Sequence, residues 1–371
     1  MEQSTSRSKG TEAAVIGGGI GGLAVAVALA RAGWSPTVYE ASPELAPLGA
    51  GLSIWPNGSR SLRELGLDEL IEAAPWSGGA LRRADGSPLA EFDPEAIVHR
   101  YAAPLVGLHR GDLQEALVGA LGRERLRTGA RLSEIEGTEL RFADGTQAKA
   151  DLVIGADGLN STVRSALVGD GAPRDSGIVA FRGIAHLDGP VPVGEWWGAG
   201  SVAGLLELGG GRVYWYLAHR GEVDPAALPR LAADYGSAVR EAIAATPEED
   251  VLLHPLFDRD PVSAWSRGAV TLLGDAAHPM LPFLGQGANS ALDDAVSLAT
   301  AVAEEDNLGR ALERYERERV KPTAALVRGS RKAAKAALLG SGAGRRMRDL
   351  LVSRLPESTR LRQLDPYLGR R

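Results

Sequence analysis

The sequence predicts an α/β fold: a Rossmann-like parallel-sheet domain, an antiparallel β-sheet inserted into it, and helices at the C-terminus. Three observations predict it. A glycine fingerprint near the N-terminus stands inside a strand–helix–strand pattern. Two more glycine-rich stretches, around residues 155 and 285, each follow a short apolar run and lead into a helical pattern. Between these two, alternating residues rich in aromatic side chains read as antiparallel sheet.

The chain of 371 residues is long enough for two domains or one large composite one. Its 44% hydrophobic and 24% charged residues are those of an ordinary globular protein. A net charge of −6 argues against a nucleic-acid footprint. Cysteine is absent, which excludes disulfides and thiolate chemistry. Residues 1–11 lack the apolar core of a signal peptide, and no uncharged apolar run reaches the length of a membrane span. A cytoplasmic protein, monomer or homodimer, is expected.

The first unit begins with the buried-strand pattern Ala13-Ala14-Val15-Ile16. Gly17-x-Gly19-x-x-Gly22 follows at once, then an apolar helix from Leu23 to Ala32, closed by Gly33. A second strand, Pro36–Tyr39, ends in Glu40. This context makes the motif a dinucleotide site. Gly17 permits the tight turn, Gly19 lets a pyrophosphate approach, and Gly22 lets helix and strand pack closely. Glu40 is placed to bind ribose hydroxyls and disfavours a 2′-phosphate, so the tightly held nucleotide should not be NADP.

The loop from Gly49 to Gly58 and a short helix to Leu67 come next. Its Trp55 either lines a site or packs as a helix-capping aromatic. Arg110 and Asp112 open the helix Leu113–Leu121. Arg110 suits a diphosphate, or is a solvated surface arginine. Residues 131–148 alternate and read as a hairpin. The strand Asp151–Ile154 then runs into Gly155-Ala156-Asp157-Gly158, and Ser161 and Arg164 open a helix. No second dinucleotide fingerprint occurs, so a second nucleotide would dock only transiently.

The inserted sheet is expected from Gly79 to Phe92 and from Ser176 to His219, with strands Ile178–His186, Glu195–Leu208 and Arg212–Ala218. Trp196, Trp197, Tyr214, Trp215 and Tyr216 cluster there, in a chain of 7 Trp, 7 Tyr and 5 Phe. Alternation puts Tyr214 and Tyr216 on one face, and Val213 and Trp215 on the other. Either one face floors a pocket, or both faces only pack, against the helix Leu231–Ala245 or a partner subunit.

In the third stretch, Ala269–Leu273 is the strand and Gly274-Asp275 the turn that ends it. Asp275 stands where an α/β protein presents ligand contacts. Gly285 and Gly287 allow close backbone approach. The helix that follows offers free N–H groups, which favour negative charge. His278 has no partner at metal-ligand spacing, so no metal is expected. Helical pattern continues to about Leu339, broken at Pro322. The arginine-rich segment 341–371 reads as a solvated helical tail.

In this order, the three stretches resemble the single-component FAD-dependent monooxygenases, the aromatic hydroxylase family with the p-hydroxybenzoate hydroxylase fold. The resemblance covers roughly residues 12–335. It implies a discontinuous FAD-binding domain at 12–75, 103–172 and 265–340, and a substrate domain at 76–102 and 173–264. It implies non-covalent FAD held by Gly17, Gly19, Gly22, Glu40, Arg110, Asp157, Gly158, Gly274, Asp275, Gly285, Gly287 and Asn289. NADH or NADPH would be a transient co-substrate; the Asp157-Gly158 motif bears on its use. The Gly49–Gly58 loop would pass beside the flavin ring, and the helix start would face the negative N1–C2=O edge of the reduced ring. Substrate would meet Arg182, Val202, Tyr214 and Phe283, with Tyr214 and Pro282 as the candidate catalytic positions. Relatives that bind anions or purines often carry an arginine in the middle strand, where Ser201–Leu206 has none; after Pro282, where a polar group could act on substrate, stands Phe283. Both departures imply a largely neutral aromatic or polycyclic substrate. The implied chemistry is hydroxylation or epoxidation with O2 through a flavin C4a-hydroperoxide. Two alternatives remain: a flavin reductase or dehydrogenase of the same fold without oxygen transfer, and a flavin-binding accessory protein that sequesters a reactive intermediate.

Overall fold

The computed structural model describes residues 11–45, 51–73, 76 and 78–369. Gly49 and Ala50 of the expected ring-side loop lie outside the described residues, as do residues 1–10 of the polar N-terminal segment. The chain opens with β1 (Glu12–Ile16), α1 (Ile20–Arg31) and β2 (Ser35–Tyr39). Next come β3 (Gly51–Ile54), α2 (Pro56–Glu64), α3 (Asp68–Glu72), β4 (Gly79–Arg83), β5 (Pro88–Phe92) and α4 (Pro94–Tyr101). β6 (Val106–His109), α5 (Arg110–Leu121) and β7 (Leu126–Arg127) lead to β8 (Leu132–Glu136), β9 (Glu139–Phe142) and β10 (Gln147–Lys149). β11 (Leu152–Gly155) and α6 (Thr162–Leu167) precede β12 (Arg174–His186), β13 (Gly194–Trp197), β14 (Ser201–Glu207) and β15 (Arg212–Arg220). The rest is α7 (Ala227–Ala232), α8 (Ser237–Ala244), β16 (Leu252–Asp258), β17 (Val270–Leu272), α9 (Gly287–Glu304), α10 (Leu308–Ala337), α11 (Gly342–Arg354), α12 (Glu357–Arg362) and α13 (Asp365–Leu368).

A parallel sheet runs in the order β17-β11-β1-β2-β7. Ala13 to Ile16 are buried because both faces of a parallel sheet are covered. α1 is apolar almost all round and buried from Leu23 to Leu29, wedged between this sheet, α5 and α9. Since β1, β11 and β17 are parallel neighbours, their carboxyl ends share one edge, and the three glycine stretches meet there. Backbone bonds join them: Gly17 N–H to Tyr39 O and Ala156 N–H to Ile16 O, both 2.8 Å, and Leu273 N–H to Gly155 O at 2.9 Å.

The second sheet has the order β16-β12-β15-β14-β13-β4-β5 and is antiparallel except at β13–β4. One face packs on α7 and α8 through Phe181, Trp196, Leu205, Trp215 and Tyr235. The opposite face turns toward β3, the 274–289 loop and the end of α10.

Four local expectations are corrected. Glu195–Leu208 is two strands, because Gly198 to Gly200 turn the chain. The helix at 231–245 is two short ones, interrupted at Tyr235-Gly236. The hairpin at 131–148 is a three-stranded meander. α10 continues through Pro322. A proline inside a helix costs about 3 kcal/mol, but α10 packs on α9, Arg319 is held by Asp294, and the helix is buried on both sides of the proline, at Tyr315 and at Thr323, Leu326 and Val327. Among the described residues no helix is long and apolar enough to cross a membrane.

Candidate active site

The first loop is shaped by what its glycines leave out. A Cβ at Gly17 would lie 2.4 Å from Ala156 O, and one at Gly22 would lie 1.9 Å from Gly17 O. At Gly19 the same atom would meet nothing within 4 Å. The turn is therefore tight below and open above, as a pyrophosphate requires. Glu40 accepts from Gly18 N–H at 2.7 Å and from Ser42 N–H at 2.8 Å. Each carboxylate oxygen keeps a further lone pair for a ribose hydroxyl.

The middle motif acts from behind. Asp157 accepts from Ser161 Oγ at 2.5 Å and from the N–H groups of Thr162 and Val163, so it caps α6. Burial raises its pKa, and those bonds oppose the rise. Its backbone, with Ala156, backs Gly17. Asp157 thus positions the cofactor loops with its carboxylate turned into α6. Gly158, at φ 76°, takes the left-handed conformation that the turn needs. Arg164 is fully buried, pairs with Asp170 at 2.6 Å and donates to Ala276 O and Ala277 O at 2.9 and 2.8 Å.

In the third loop Asp275 is exposed to solvent yet enclosed by protein, as a group on the floor of a cleft is. This desolvation raises its pKa, against the charges of His278 and Arg110. Arg110 makes no hydrogen bond or ion pair to a described residue, which leaves its guanidinium free for an anion. Gly274, at φ 61°, sharpens the turn, and its N–H donates to Asp294 at 3.1 Å. Asp294 bonds His278 at 2.5 Å and Arg319 at 2.6 Å. Burial pushes the Asp294 carboxyl up, but His278 and Arg319 outweigh it and hold the pKa at about 2. His278 therefore serves as a loop hydrogen bond.

Pro282 is exposed at the start of a short turn that ends in Gly285, at φ 60°. α9 starts at Gly287 with no side-chain cap, so its first N–H groups stay free. The side chain of Asn289 is turned to the protein, which leaves its backbone N–H at the start of α9 for a cofactor. Its oxygen accepts from Trp55 N–H at 2.8 Å, and its amide donates to Ser53 O and Gly285 O at 2.9 and 2.7 Å. The side chain is consumed in tying β3 to the flavin loop. The Trp55 ring packs toward Ile97, Tyr101 and Leu361, and its indole N–H has no partner.

On the second sheet, strand register sets the facing residues in rows. Arg182 is opposite Tyr216, Tyr216 opposite Gly204, and Gly204 opposite Glu195. A Cβ at Gly204 would lie 2.2 Å from the Tyr216 ring, so the ring lies flat across that strand. Tyr216 O–H donates to Glu195 at 2.5 Å, and the Trp197 indole N–H donates to the other carboxylate oxygen. Burial raises the pKa of Glu195; those two bonds and the charge of Arg348 oppose it. Tyr214 lies in the next row, against Gly51, with its ring 6.1 Å from that of Tyr216. Burial raises the Tyr214 pKa and Arg182 opposes the rise. Arg182, Tyr214, Tyr216, Glu195 and Trp197 are all partly exposed, while their neighbours along the strands are mostly buried. That alternation marks the less covered face of the sheet, the one opposite α7 and α8.

Val202 is corrected: it is fully buried beneath Leu281, Ala334, Ala337 and Leu338, so α10 and not a ligand covers it. Phe283 packs against the same cluster, as Trp197 and Tyr216 do. Arg348 was expected in a solvated tail. It is buried, with its guanidinium 4.6 Å over the Trp197 ring. Sequence reasoning missed Glu195, Arg164 and Arg348. Counting alternation across β13 could have placed Glu195 with Trp197; the other two carried no local signal.

Three glycine loops at one parallel-sheet edge, facing an aromatic cleft, define a flavoprotein of the aromatic-hydroxylase fold. The chain belongs to the FAD-binding-domain family, whose model matches residues 10–330, and it is an FAD-dependent oxidoreductase of the monooxygenase kind. It is 38% identical over 366 residues to the 3-amino-4-hydroxybenzoate 2-monooxygenase PtmB3 of Streptomyces platensis, covering 91% of each chain. It is 36% identical over 332 residues to the aurachin C monooxygenase/isomerase of Stigmatella aurantiaca, covering 85% of this chain and 87% of that one. Klebsiella pneumoniae HpxO, solved with FAD and uric acid, superposes with a TM-score of 0.90 at 28% identity over 96% of both chains. The site fits FAD on its own geometry: the open space over Gly19, the free Arg110 and the cleft-floor Asp275 are what a pyrophosphate and a polyol chain require.

Proposed function

We propose that the protein uses NADH or NADPH and O2 to hydroxylate or epoxidise an aromatic or polycyclic small molecule with little net charge. The observation that carries this reading is the shared cleft. Phe283 of the flavin loop packs on the cluster that Trp197 and Tyr216 of the second sheet also flank. Bound FAD, once reduced by the nicotinamide, supplies the activation of O2 and the electrophilic oxygen atom.

The protein's own groups do the rest. Gly17, Gly19 and Gly22 give the pyrophosphate its approach, with Glu40 on the ribose. Arg110 and the free N–H groups of α9 offset negative charge in the cleft. Asp275 orients hydroxyl groups of the cofactor chain. Phe283 and Trp197 keep water from the reacting ring, and Tyr214 turns the ligand. Arg182 and Glu195 stand at opposite ends of one row, so their charges favour a ligand of no net charge that is polar at its ends. The aromatic substrates named for the relatives, an aminohydroxybenzoate and uric acid, support the aromatic class.

The test is a screen of aromatic ligands for stimulated NAD(P)H oxidation, followed by mass analysis of product made under labelled O2. Label in the product supports oxygen transfer. Ligand-stimulated turnover without label would instead support a reductase of the same fold.

A further inference from the structure

The row Arg182–Tyr216–Gly204–Glu195 crosses four strands, about 14 Å at ordinary strand spacing. Its acidic end is unusual in its wiring. Tyr216 O–H and Trp197 N–H both donate to Glu195. A Tyr216 proton committed to Glu195 leaves the phenol oxygen with lone pairs alone. The Tyr216 ring is partly exposed to the cleft and held flat by the missing side chain of Gly204. Arg348 braces the assembly from behind, over Trp197.

We infer that Glu195 is a specificity-determining residue: by holding the Tyr216 proton, it makes Tyr216 an acceptor and so selects aromatic ligands that present an N–H or O–H donor to that end of the cleft. The wiring needs the carboxylate form, which the two donors and the nearby guanidinium favour against the upward push of burial. A ligand with a carboxylate at that position meets lone pairs and a like charge. A methyl group there leaves the Tyr216 oxygen unpartnered, which costs binding.

The inference rests on reading this cleft as the substrate site. The test uses oxidised, FAD-loaded protein without NAD(P)H, so it needs no turnover. Aminoquinolines and the matching methylquinolines are titrated, and binding is read from the flavin absorbance. Wild type should bind its best amine about tenfold tighter than the methyl analogue, as one hydrogen bond to a charge-linked acceptor implies. In Glu195→Gln the amide N–H2 donates to Tyr216, whose proton then turns to the cleft. The amine preference should fall to about threefold or less. An unchanged ratio, or a wild type that binds both analogues equally, overturns the inference. If Glu195→Gln does not retain FAD, Tyr216→Phe gives the same readout: loss of the preference supports the inference and its persistence overturns it. Failure to make oxygenated product would sink the monooxygenase reading and leave this ratio standing.

Discussion

Arg164 donates to the main-chain oxygen of Ala277 at 2.8 Å. The helix after the second glycine stretch thereby holds up the loop of the third. Arg164→Met would leave two loop carbonyls and Asp170 short of a partner. Loss of a buried charged partner costs roughly 3 kcal/mol. Urea unfolding should show that loss, and FAD retention should fall with it. Unchanged stability and retention would mean that the loop needs no brace.

Glu40→Ala removes the acceptor of Gly18 N–H and the expected ribose partner. FAD affinity should drop by roughly 1–3 kcal/mol. Fluorescence titration of the stripped protein measures this; an unaltered dissociation constant would make Glu40 a strand-end acid and nothing more.

Asp275 has a raised pKa, chiefly from desolvation. It therefore takes up a proton at higher pH than a free carboxyl does. If it accepts from cofactor hydroxyls, as proposed above, those bonds need the carboxylate, so FAD should be released as pH falls through that raised value. Asp275→Asn should hold FAD more weakly and lose this pH dependence. A release curve identical in wild type and variant would remove Asp275 from the cofactor site.

The buried Asp294 acts in the opposite sense. Its pKa falls from the usual 3.8 to about 2 in the folded state. The stability it lends is complete above 3.8 and is lost as pH drops toward 2. Asp294→Asn should cost roughly 3–5 kcal/mol at neutral pH and flatten the acid limb of the stability curve.

Tyr214 leans on Gly51 and lies near Tyr216, and its hydroxyl has no partner among the described residues. Tyr214→Phe should lower product formed per NAD(P)H consumed and raise hydrogen peroxide, with FAD reduction little changed. A misaligned substrate lets activated oxygen go to waste. Equal coupling in both proteins would take Tyr214 out of the orienting role.

The cofactor cradle was legible in the sequence because it is a set of backbone demands. Gly17 and Gly22 stand where no Cβ fits, and short apolar strands flank them. The substrate face was half legible. Alternation put Tyr214 and Tyr216 together, but strand pairing decides what lies opposite. Glu195 meets Tyr216 from 21 residues away, across the gap left by Gly204. Val202 carried the right period and the wrong neighbour, since α10 covers it. Pro322 argued locally for a break, and tertiary packing overruled it.

The family match ends at residue 330, whereas Arg348 lies over Trp197. A piece of chain beyond the part that the family model matches thus leans on the aromatic wall of the second sheet. A substitution in α11 can shift Trp197, and with it the Glu195 end of the row, while the loops around FAD stay in place. Taste for a new compound and grip on the cofactor then become separately heritable, and the tail is where an engineer would begin to change one without disturbing the other.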